Sequence, residues 1–179
     1  MADNIDESEV VKAMEMMRRC QGLLIFSGVG QNLLLAGKVA STFSSLSLRA
    51  VSADPIAALH GGMGLFRSDD LLILISKSGE TPELVRFLDA CGQIDYSNTL
   101  GIHSSRGSTL AAGCRHSVYV PIESEADHLD LAPTASSVCI LGFLQSLATQ
   151  LASEAGLSAS AFRRTHPGGT IGLDPVRIR

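Results

Sequence analysis

Tryptophan is missing and aromatic residues make up only 4% of the 179-residue chain, so its core must be built from leucine, isoleucine, valine and alanine. Charge is scarce too: Asp, Glu, Lys and Arg total 18%, with a formal balance of −4. The pairs Arg18-Arg19 and Arg163-Arg164, with Arg177 and Arg179, are too sparse for a phosphate-backbone footprint, which excludes nucleic acid as a partner. No uninterrupted apolar run approaches the roughly 18 residues of a membrane span, and Met1–Asp6 is acidic and polar, unlike a signal peptide. The four cysteines, at 20, 91, 114 and 139, form no C-x-x-C and no Cys/His pair at metal spacing. They read as free, mostly buried thiols of a reducing compartment. The expectation is a cytoplasmic protein with no membrane contact, no metal and no cofactor.

What is present is 45% hydrophobic residues and 17 glycines, a composition that suits helices packed on a parallel sheet. The chain reads as a single domain, 1–179, with residues 1–6 as a frayed end. Val10, Val11, Met14 and Met17 recur at helical spacing between Glu7 and Cys20. Short strands are expected at 23–26, 48–51, 71–75, 98–102 and 117–121. Helices separate them at about 32–46, from Asp54 to His60, at 82–91 and, briefly, at 109–113. A long apolar helix from about Thr134 to Ala155 and a last one from Ser158 to Arg164 follow. Five strands alternating with helices predict an α/β, three-layer sandwich around a five-stranded parallel sheet, in which ligands bind outside the carboxyl ends of the strands. The Gly28-Val29-Gly30 turn opens a βα unit, but position 33 is leucine where a dinucleotide fingerprint needs its third glycine, so a nicotinamide cofactor is disfavoured.

The stretch from Leu71 to Thr81 organises the rest. Five apolar residues end abruptly in Ser76-Lys77-Ser78-Gly79-Glu80-Thr81, and Pro82 begins an amphipathic segment. A buried strand therefore feeds a tight loop at a helix N-terminus, where the hydroxyls of Ser76, Ser78 and Thr81 and the backbone N–H groups suit a phosphate. The alternative is a serine-rich turn that only caps the helix. Glu80 beside an anion cradle would repel the anion, which points to another task for it.

Four further segments extend the pattern: Gly28-Val29-Gly30 with Lys38, His60-Gly61 with Gly64, Glu125 with Leu131-Ala132-Pro133-Thr134, and His166-Pro167-Gly168-Gly169. Together with Ser-x-Ser-Gly-Glu-Thr, in this order and spacing, they resemble the sugar isomerase (SIS) domain family and, within it, the D-arabinose 5-phosphate isomerases. The resemblance spans roughly residues 8–172. It implies a flavodoxin-like SIS fold and an aldose–ketose isomerisation of D-ribulose 5-phosphate and D-arabinose 5-phosphate through an enediol. The product would supply Kdo, a precursor of lipopolysaccharide. It also implies a homo-oligomer, dimer or tetramer, with sites shared between subunits.

Carried onto this chain, the resemblance assigns the proton shuttle to Glu80, Glu125 and His166, with His60 entering from a neighbouring subunit. Gly30, Gln31, Asn32, Ser76, Ser78, Gly79 and Thr81, with Thr134 and Ser136 or Ser137, would bind the sugar phosphate. Glu80 has orienting the loop as an alternative role, Glu125 a solvated charge run, and His60 a buried cap. Two departures stand out. The family's Gly-Lys-Ser-Gly after the first strand is Gly30-Gln31-Asn32-Leu33 here, so an active-site lysine becomes glutamine. The chain also stops at Arg179, where many relatives continue into paired regulatory modules. A sugar-phosphate binding or regulatory protein is thus the second reading, and another isomerase of the superfamily, such as a 6-phospho-3-hexuloisomerase, the third. Lys77 and Lys38 are the nearby cations that could make up for Gln31.

Overall fold

The structure is a computed structural model that describes residues 5–168 and 170–172. Five parallel strands stand in the order β2-β1-β3-β4-β5. They are β1 (Leu24–Gly28), β2 (Ala50–Ala53), β3 (Leu71–Ser76), β4 (Thr99–His103) and β5 (His116–Tyr119). Every residue of β1, β3 and β4 is buried, as a sheet covered on both faces requires. Side chains alternate across it. Leu71, Ile73 and Ile75 face one apolar layer and Leu72 and Leu74 the other.

The first layer is built by α1 (Glu7–Arg19), α2 (Gln31–Ser45) and α6 (Ala135–Glu154), and the second by α3 (Pro55–Leu59), α4 (Pro82–Gln93) and α5 (Thr109–Gly113). Among the described residues the last α-helix is α7 (Ala159–Arg164), followed by a 3₁₀ turn at Thr170–Gly172. This is the expected three-layer sandwich, in the flavodoxin-like strand order. Starting at β1, the chain builds outward to β2 and then returns to the other side of β1 for β3. The reversal places a crevice between the carboxyl ends of β1 and β3, where the Gly28–Gly30 turn and the Ser76–Thr81 loop emerge.

Several local expectations shift. The frayed end does not extend over Ile5, which packs on the core, or Asp6, whose carboxylate accepts from Ser8 N at 2.8 Å and caps α1. Strand β2 starts at Ala50, two residues later than expected. Ser47 is left-handed at φ +63°, and Leu48 N still donates to Phe43 O at 3.0 Å, so the segment folds back on α2 before extending. A 3₁₀ turn at Gly62–Leu65, unforeseen in the sequence, follows α3. Helix α6 as a whole is long and apolar enough to cross a membrane by length and composition, which its interrupted apolar runs conceal. In this fold Cys139, Ile140, Leu144, Leu147, Ala148 and Leu151 of that helix are buried in the first layer.

Candidate active site

Loop 76–81 is closed by its own side chains. Ser76 Oγ lies 2.9 Å from Thr81 Oγ1 and accepts from Gly79 N at 3.0 Å, while Ser78 Oγ accepts from Glu80 N at 3.2 Å. Gly79 is left-handed at φ +67°, and a Cβ there would collide with Ser108 Oγ, so only glycine fits. Backbone bonds from Ser104 N to Lys77 O, 2.9 Å, and from Leu110 N to Gly79 O, 3.1 Å, fasten the loop to β4 and α5. Pro82 sits in the first turn of α4, and Thr81 makes no side-chain cap to it, so the positive end of the helix opens beside the loop. Ser78 is exposed and Ser76 is buried.

Across the crevice, Gly28 is held tight: a Cβ would lie 2.7 Å from Asn32 Cβ, so the turn and α2 approach closely only with glycine. Gly30, at φ +59°, is the N-cap of α2, Gln31 is its exposed first residue, and Asn32 is half-buried. Lys38 points away from this turn, donating to Thr42 Oγ1 along α2 at 3.0 Å.

Glu125 is not part of a solvated charge run. Its side chain is 2% exposed, and Lys77 Nζ lies 2.8 Å from Oε1. Oε2 accepts from Thr134 N at 2.9 Å, Ser136 N at 3.0 Å and Thr134 Oγ1 at 3.4 Å. Burial would push this carboxyl up, but the Lys77 ammonium and the donors of Ser136 and Thr134 outweigh it and hold its pKa at about 2. The negative group therefore belongs to the N-terminus of α6, tied through Lys77 to the cradle loop. The hydroxyls expected to join the phosphate site are engaged locally. Thr134 Oγ1 accepts from Ala126 N at 2.7 Å, Ser137 Oγ donates to Pro133 O at 2.9 Å, and Ser136 is buried.

Glu80 is bonded to the start of α5. Its carboxylate accepts from Thr109 N at 2.6 Å and Thr109 Oγ1 at 2.8 Å, bonds that lower its pKa, the backbone one most. It orients the loop against the start of α5.

His60 is the exposed C-cap of α3 and is not the buried cap of the alternative reading. His166 lies elsewhere. Its Nδ1 donates to Phe162 O at 2.7 Å, which leaves Nε2 to accept from Ser45 Oγ at 2.7 Å, and its ring stacks on Phe162 at 3.9 Å. Ser45 closes the far end of α2, about 21 Å along the helix from Gln31 at 1.5 Å per residue. His166 is thus not brought to the cradle of its own chain. Of the segment 166–169, Gly169 lies outside the described residues.

The sequence pointed to the cradle but missed Thr109 and Ser108, which position it. The pair reads only as a helix cap, and its contact with residues 79 and 80 is nonlocal. A cavity of about 780 Å³ lined by Lys12, Arg19, Arg67, Asp69, Tyr96 and Arg115 sits at the amino ends of the strands. It shares no residue with the cradle, and the site is assigned by its chemistry and its place at the switch point.

Comparison with known proteins shows the family. The chain is 30% identical over 179 residues to an uncharacterised protein, RP505, of Rickettsia prowazekii, covering all of this chain and 55% of that one. Over 164 residues it is 30% identical to arabinose 5-phosphate isomerase KdsD of Pseudomonas aeruginosa, covering 92% of this chain and 50% of that one. It therefore spans about half the length of the curated relatives it matches. Among solved structures, c3406 of E. coli CFT073 in complex with arabinose 5-phosphate superposes with a TM-score of 0.86 at 34% identity, over 89% of this chain and 85% of that one. The SIS domain family matches residues 17–150. With the switch-point cradle and the sheet order in place, the chain belongs to the SIS domain family.

Proposed function

We propose that this chain is an aldose–ketose isomerase that interconverts D-ribulose 5-phosphate and D-arabinose 5-phosphate through an enediol. One observation carries the reading. A self-braced hydroxyl loop at a helix N-terminus is joined by the Lys77–Glu125 ion pair to a buried carboxylate at the start of α6. The loop suits the phosphate, whose binding energy would position the reacting carbons, and Glu125 would serve as the base. The names of the relatives above support the same substrate class.

Ser78, Thr81, Gly79 and the turn at Gly30, Gln31 and Asn32 would hold the substrate, with Ser76 shaping the loop. His60, exposed at the end of α3, and His166, bound to Ser45 some 21 Å along α2 from Gln31, would act in the site of a neighbouring copy. Leu34 and Val138, both about 70% exposed in the first turns of the packed helices α2 and α6, favour such an assembly. The protein would work as a cytoplasmic homo-oligomer whose product supplies Kdo synthesis.

The test is NMR of the purified protein with D-arabinose 5-phosphate in deuterated water. Ribulose 5-phosphate carrying solvent deuterium at the exchanging carbon is the expected result. Gln31, in place of a charged residue, favours one rival, a binding or regulatory protein. That reading predicts ligand resonances that broaden with no conversion over hours.

A further inference from the structure

The two oxygens of Glu125 are held in different ways. Three donors from the start of α6 converge on Oε2, fixing it to the protein frame. Oε1 faces the cradle and meets Lys77 Nζ at 2.8 Å. The lysine is anchored at its backbone, where its carbonyl accepts from Ser104 N at 2.9 Å, yet its side chain is 38% exposed against 2% for Glu125. It is a four-carbon stem on a fixed base, free to swing between the carboxylate and whatever enters the crevice. Other cations nearby are engaged: Arg106 pairs with Glu9 at 2.9 Å and lies over the Tyr119 ring, and Lys38 follows α2 to Thr42.

We infer that Lys77 is a catalytic cation of this chain, whose ammonium leaves Glu125 Oε1 for the carbonyl oxygen of a bound sugar phosphate and so frees Oε1 to take the proton. The inference rests on the isomerase reading above. With an aldose bound, Oε1 removes the hydrogen from C2. The electrons of that C–H bond form the C1–C2 double bond, and the carbonyl π pair moves to O1, where Lys77 N–H donates to the new oxyanion. The proton of the C2 hydroxyl then passes to O1. Finally the Glu125 carboxyl returns its proton to C1 as the C2 carbonyl forms, which restores the carboxylate. One residue thus closes the resting site and stabilises the charge that develops. The side-chain position taken by Gln31 need not carry a positive charge.

The experiment compares Lys77→Gln and Lys77→Ala with the wild type, all in D-arabinose 5-phosphate turnover and deuterium exchange. The oxyanion role predicts a fall in kcat of about 10²–10³-fold in both variants, with exchange lost in step. It also predicts partial recovery of the alanine variant by millimolar ethylammonium, which a merely structural tether would not give. Thermal unfolding of each variant separates lost folding from lost chemistry. Wild-type turnover with Lys77→Gln within about threefold of it overturns the role of Lys77 and leaves the isomerase standing. A fall in kcat that no amine recovers, in a variant that unfolds early, overturns it as well. A wild type with neither conversion nor exchange overturns the isomerase reading and this inference together.

Discussion

A methyl group at position 79 would collide with Ser108 Oγ and stand 2.5 Å from its Cβ, on a backbone already left-handed. Gly79→Ala therefore combines left-handed strain, worth about 1–2 kcal/mol, with overpacking, worth about 1–3 kcal/mol. Thermal melting should show a drop of several degrees, and affinity for inorganic phosphate should fall as the loop moves off α5. Glu125 makes a second prediction at this scale. Its folded pKa, about 2, is below the reference value of 4.5, so its contribution to stability is complete above about 4.5 and lost as pH falls toward 2. Glu125→Gln keeps the shape but loses the charge-assisted bonds to Lys77, Thr134 and Ser136, at a cost of about 2 kcal/mol near neutrality. Urea titrations between pH 7 and 2.5 should show the variant less stable at the upper end and converging on the wild type at the lower. Curves that stay parallel throughout would refute the assignment.

Among the elements, α7 is fastened by one reach across the chain: His166 binds Ser45, 121 residues earlier. Ser45→Ala removes that bond, worth about 1 kcal/mol, and amide exchange over 159–164 should quicken about fivefold while the central strands stay protected. Unchanged exchange would mean that the Ser45–His166 bond does not hold the helix in place. The same distance in sequence explains what could be read in advance. Strands β1, β3 and β4 and helices α1, α4 and α6 were legible because apolar runs and helical spacing are local, as was Asp54, whose carboxylate caps α3 through Ile56 N. The start of β2 was not, since nothing in Leu46-Ser47-Leu48 announces a left-handed serine. Within the site, the cradle could be read from Ser-x-Ser-Gly-Glu-Thr. The partner of Glu80 could not, because Thr109 stands 29 residues on, and the place of His166 is decided by Ser45.

At the scale of the whole molecule, the candidate groups are not gathered in one chain's cradle: His60 caps the end of α3, and His166 is held at the far end of α2. If neighbouring copies complete each other's sites, Glu125→Gln and His166→Asn chains should be nearly inactive alone and complement when refolded together. A randomly mixed dimer would regain about one quarter of wild-type turnover, because half of the particles are mixed and each of those holds one intact site. No recovery on mixing would exclude sharing through His166. Leu34→Glu with Val138→Glu, placing charge on two exposed apolar positions, should lower the sedimentation coefficient toward that of one chain.

The loop that carries Lys77 also has a bearing on how such a protein can change over generations. Its shape rests on the hydroxyls of Ser76 and Ser78, on glycine at 79 and on main-chain bonds to Ser104 and Leu110. None of these uses the side chain at position 77, which is therefore a socket in a finished frame. A lineage could exchange the plug, or move its charge between positions 77 and 31, without rebuilding the loop around it. Chemistry here can drift by single substitutions while the architecture stays still.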